Sequence, residues 1–74
     1  MQITLRNGAI LARHSAPLPI TIQGMAGSGT LYIGEAREAV ELLPGTLVTI
    51  ETGIVHEIEA HPAVSILLTM FPGA

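Results

Sequence analysis

The stretch Leu43-Pro44-Gly45-Thr46-Leu47-Val48-Thr49-Ile50-Glu51-Thr52-Gly53-Ile54-Val55-His56 decides how this chain folds. Pro44-Gly45 ends whatever precedes it. Thr46 to Glu51 then reads as a short strand, Gly53 marks a turn, and a second strand starts at Val55. From Val55 to Ala60 the residues alternate. His56, Ile58 and Ala60 share one face, while Val55, Glu57 and Glu59 share the other. An inward His and Ile set against two glutamates is the pattern of a half-buried strand.

The same grammar extends in both directions. Asn7-Gly8 between apolar runs is a two-residue hairpin signal, because both residues tolerate positive φ. Turn residues recur at Pro17 to Pro19, Gly24 to Gly29, Gly34, His61-Pro62 and Pro72-Gly73. The runs between them predict strands at 2–6, 9–14, 19–25, 29–34, 36–42, 46–51, 55–60 and 63–70. Ala63 to Met70 is apolar on both faces, which predicts a strand covered by the core and by a partner. One segment conflicts with this reading. Glu35 to Leu43 has helix-forming composition, and Ala36, Val40 and Leu43 would line one helical stripe. Local sequence leaves helix and strand both open there.

Composition restricts function. The chain has 74 residues, of which 49% are apolar and 12% charged. Average soluble proteins carry roughly 25% charged residues. Small domains have much surface per volume and need more polar cover, not less. Part of the surface is therefore expected to lie against a second copy, in a homodimer or higher oligomer. The net charge of −3 with three cationic side chains argues against nucleic-acid binding and against a polybasic membrane contact. Residues 14 to 34 contain no Asp, Glu, Lys or Arg, but Pro17, Pro19, Gly24, Gly27 and Gly29 interrupt that run too often for a membrane helix. Met1 to Arg13 has no leader-like pattern, so a cytoplasmic location is expected. Without Cys there is no disulfide, thiolate metal site or thiol nucleophile.

The opening stretch resembles the second cupin motif, Gly-x5-Pro-x-Gly-x2-His. Gly45, Gly53 and His56 match, and Glu51 stands where that motif has Pro. Gly8, five residues and His14 resemble the start of the first motif, Gly-x5-His-x-His-x3,4-Glu-x6-Gly. Ala16 then replaces the second His, Ile20 replaces the Glu, and Gly27 matches the closing Gly. The resemblance spans almost the whole chain. It implies an all-β, small cupin-like jelly roll, or double-stranded β-barrel, of about eight short strands in one domain over residues 1–74. It also implies a strand over 36–42, and the absence of the leading strand or strands of longer small cupins.

Cupin metal sites generally use three His and one Glu from the barrel interior. Of those positions only His14 and His56 keep a ligand here. They are the candidate metal pair for a divalent transition metal held by neutral imidazoles. The alternative is two histidines hydrogen-bonded to backbone or water inside a small pocket, and a third use is general acid–base chemistry on a bound ligand. Ile20 and Ile58 are the candidate pocket residues. With one Tyr and one Phe in the chain, such a pocket suits a small, mainly apolar molecule with one or two polar atoms near the histidines.

Other candidates read more plainly. Glu51 is a solvated charge at a strand end, with a carboxylate near His56 as the sharper alternative. His61 is a surface turn residue. Met25, Met70 and Phe71 are core or interface filler. Gly24 to Thr30 lacks the Lys of a phosphate loop and the frame of a nucleophile elbow, so it carries no phosphate-binding residues and reads as a hairpin turn plus a bulge. The expected function is a small-molecule-binding barrel with a reduced or absent metal site. A metal-dependent dioxygenase- or isomerase-like enzyme and a non-catalytic ligand-sensing module are the alternatives, since the scaffold alone does not choose.

Overall fold

Period-two alternation decides which face each strand buries, and the computed structural model, which describes residues 1–72, follows it. Six strands form: β1 (Gln2–Leu5), β2 (Ile10–His14), β3 (Ile20–Ile33), β4 (Glu38–Leu42), β5 (Leu47–Ile50) and β6 (His56–Met70). The ambiguous segment resolves as strand β4, preceded by a turn in which Gly34 and Arg37 both take positive φ. Tertiary pairing overrides helix propensity here, because β4 supplies the neighbour of Gly29 to Ile33. Among the described residues no helix is long and apolar enough to cross a membrane. Gly73 of the expected terminal turn lies outside them.

The eight expected strands are present as eight segments, but four of them are fused into two long strands. β3 pairs with β6 from Ile20↔Met70 to Ile33↔His56, with register shifts between Gly24 and Ala26 and between Gly27 and Gly29. Before these shifts β3 also pairs with β5, and after them with β4. β6 pairs with β2 over its first half and with β1 over its second. The result is two four-stranded halves, β2-β6-β3-β4 and β1-β6-β3-β5, sharing β3 and β6 through a corner, the arrangement of a jelly roll. All pairings are antiparallel.

Two expected turns are therefore corrected. Gly24 to Gly29 is a double bulge in a continuous strand, not a hairpin. His61-Pro62 is a bend within β6, where His61 remains exposed. The reason is close backbone approach. A Cβ on Gly24 would overlap the Leu43 carbonyl, and one on Gly27 would overlap the Ala63 carbonyl. Gly27 also has φ +73°, a conformation side chains rarely adopt. Glycine lets the strand bend inward there, onto the turn between β4 and β5 and onto β6.

Inward residues from both halves form one core. Ile20, Ile22, Ile50, Val64, Ile66 and Leu68 come from one half, and Leu31, Leu42, Ile58 and Ala60 from the other. Charge is divided unevenly between the halves. Segments 2–5, 20–27, 47–50 and 63–70 contain no charged residue, so all nine charges lie in the other half and in the turns. The outer face of the charge-free half carries Thr, Ser, Gln and two leucines, Leu67 at 37% and Leu47 at 63% exposure, both paired in register with Gln23.

Candidate functional site

His14 ends β2 and His56 begins β6, and the strand register places them opposite each other. Their ring centroids are 4.3 Å apart with an interplanar angle of 63°. The two residues that the spacing singled out thus meet across one pair of strands. His14 is exposed at the barrel mouth, whereas His56 is 2% exposed.

Each ring is held by a backbone carbonyl two residues earlier. His14 Nδ1–H donates to the Ala12 carbonyl at 2.8 Å, and His56 Nδ1–H donates to the Ile54 carbonyl at 3.1 Å. A carbonyl oxygen only accepts, so the proton of each neutral ring sits on Nδ1 and Nε2 keeps its lone pair. Among the described residues, His56 Nε2 is the buried side-chain polar atom without a hydrogen-bond partner. Burial holds the His56 pKa below the ordinary histidine value of 6.5, the Ile54 hydrogen bond opposes that shift, and the neighbouring His14 adds to it. The neutral, acceptor form of His56 is therefore favoured.

Both rings border a cavity of about 180 Å³ between the two halves. Its apolar wall comes from Ile3, Leu11, Ile20, Leu68 and Met70, and the Ser15-Ala16-Pro17 loop covers one side. Ile20 thus faces the cavity. Ile58 is fully buried in the core and does not line this cavity. His56 also borders a depression of about 10 Å³ with Tyr32, Arg37 and Glu57, room for one water. There Arg37 lies 4.3 Å from the Tyr32 ring centre and pairs with Glu57 at 2.9 Å, while Arg13 pairs with Glu35.

The remaining candidates sit away from the cavity. Glu51 is exposed in the loop after β5. His61 Nε2 lies 3.0 Å from Thr30 Oγ1 on the outer surface. Met25, Met70 and Phe71 are each nearly half exposed and are not core, although Met70 lines the cavity. Nothing in the sequence marks the Ala12 and Ile54 carbonyls, which any residue type would supply, or Ile3, Leu11, Leu68 and Met70 as cavity wall, since apolar strand positions do not distinguish core from cavity.

The donor set does not fit a resident metal. Catalytic zinc sites keep three protein ligands and one open position. No third His, Cys, Asp or Glu joins His14 and His56 among the described residues. Ala16 and Ile20, at the positions where cupin ligands would stand, present apolar side chains to the same space.

No family model and no curated protein matches the sequence. Solved structures do. A conserved protein of unknown function from Streptococcus pyogenes, SPY1581, superposes with a TM-score of 0.84 at 24% identity, over 99% of this chain and 63% of that one. A cupin superfamily protein from Desulfitobacterium hafniense gives 0.85 at 11% identity, over 96% and 64%. The Drosophila melanogaster CENP-C cupin domain gives 0.83 at 12% identity, over 95% and 58%. This chain spans less than two thirds of each of those structures.

Proposed function

We propose that this chain, whose fold is that of the cupins, is a small-molecule-binding barrel whose site is the cavity between His14 and His56. The observation that carries this reading is a cavity of about 180 Å³ bordered by both imidazoles, whose wall is otherwise mainly apolar. The volume is sufficient for a ligand: an apolar protein cavity of about 150 Å³ binds benzene. The dioxygenase- or isomerase-like alternative draws on the same two histidines but has one protein ligand fewer than such sites use. The test is methyl NMR with toluene as probe. Shifts confined to Ile3, Leu11, Ile20 and Leu68 support the reading. Shifts at none of them remove it.

The same proposal includes a homodimer built on the charge-free outer face around Leu47 and Leu67. Two copies meeting there through a two-fold axis would use the same patch on both subunits and bring no charged side chains of these strands together. Stable interfaces bury about 800 Å² per partner. That is about a fifth of the 4307 Å² surface of the chain, the order of one broad face of a two-layer body.

A further inference from the structure

The wall of the cavity is graded from inside to outside. Ile20, Leu68 and the His56 ring form a buried inner end. Ile3 and Leu11 are half-buried along the sides. Met1, at 70% exposure, and Met70, at 47%, lie at the outer end with the exposed His14 and Ser15. Met1 is held there by the Leu68 N–H, which donates to its carbonyl at 2.7 Å. Two of the three methionines of the chain thus meet at one opening. Methionine is unbranched and flexible, so it follows apolar shapes of differing outline.

The chemistry of the wall sets the direction in which a ligand enters. No Asp, Glu, Lys or Arg borders the cavity, so nothing at its inner end answers a charge. Ile20 and Leu68 offer no side-chain hydrogen bond, and a hydroxyl buried against them would lose its water without replacement. No Phe, Tyr or Trp borders the space either, so a flat ring finds no such face to stack on. Resting on the reading of the cavity as a binding site, we propose that its ligand is an amphiphile with an unbranched aliphatic chain, bound tail first. The tail lies on Ile20 and Leu68, and the polar head stays at the mouth beside His14 and Ser15. A chain too long for the cavity continues over Met1 and Met70. By comparison with benzene in a cavity of about 150 Å³, the enclosed part holds about six to eight carbons. A compact molecule would end inside and leave both methionines without contacts, which forfeits their dispersion energy.

Straight-chain primary alcohols from butanol to decanol provide the test, together with the octane diol that carries a hydroxyl at each end. Each is titrated into the full chain and followed by the methyl signals of Ile20, Leu68, Met1 and Met70. Affinity should rise about fourfold per added methylene until the cavity is filled, and less steeply beyond that. Butanol should move the Ile20 and Leu68 methyls, and decanol those of Met1 and Met70 as well. The diol should bind at least about tenfold more weakly than octanol, because one hydroxyl must go to the inner end. Equal affinity for the diol and octanol, affinity independent of chain length, or methionine signals that move before those of Ile20 and Leu68 overturns the tail-first assignment. If toluene shifts the cavity methyls while the alcohols fail in any of these ways, only this inference falls. If neither toluene nor any alcohol shifts them, the binding-site reading falls with it.

Discussion

Gly27→Ala and Gly53→Ala form a matched pair. Both glycines have positive φ, +73° and +79°. Placing an alanine in that region costs roughly 1–2 kcal/mol at either site. The surroundings differ. Nothing lies within 4 Å of a Cβ at Gly53, whereas a Cβ at Gly27 comes within 3.0 Å of the Ala63 carbonyl carbon and overlaps its oxygen. Forcing an extra carbon into packed backbone typically adds about 1–3 kcal/mol. For a domain of this size each kcal/mol lowers Tm by roughly 4–8 °C. Gly27→Ala should therefore melt roughly 4–24 °C below Gly53→Ala, followed by far-UV circular dichroism at one protein concentration. Equal melting temperatures would refute the reasoning, because they would mean that β3 does not press against β6 at the corner.

Lowering the pH from 7.5 to 5 should destabilise the chain in urea. Burial keeps folded His56 below the usual 6.5, so the unfolded chain takes the proton first, and stability that is full above about 6.5 is lost as pH falls toward the folded value. His56→Phe should flatten that decline, and an unchanged slope would show that another group controls it. Leu47→Glu combined with Leu67→Glu should convert a dimer to monomer in sedimentation equilibrium, while the same change at Ile10, on the charged half opposite Glu59, should not. Arg37→Ala should cost less than about 1 kcal/mol by urea titration, since its ion pair and ring contact lie at the surface with Arg37 about half exposed.

Much of the fold was legible because strand alternation records burial directly. His56, Ile58 and Ala60 face inward as the pattern of Val55 to Ala60 required. The histidine pair was legible from motif spacing. Continuity was not. Glycine serves equally as a turn residue and as the gap that lets two backbones touch, and Gly24 and Gly27 are the second kind. Pro62 misled in the same way, since a bend inside a strand and a turn between strands use the same residue. The helical composition of 35–43 lost to hairpin pairing with Gly29 to Ile33, which propensity counted residue by residue does not register. At the site, the carbonyls of Ala12 and Ile54 fix both imidazole tautomers, and a backbone atom leaves no mark in sequence. The low charge content, a single number in the sequence, proves to be a charge-free half of the barrel.

The chemistry of the histidine pair depends on where two protons sit. Long-range ¹H–¹⁵N correlation of the imidazole rings at pH 7.5 reads this directly. His14 and His56 should both show a protonated Nδ1 and a lone-pair Nε2. A protonated Nε2 on either ring would contradict the account.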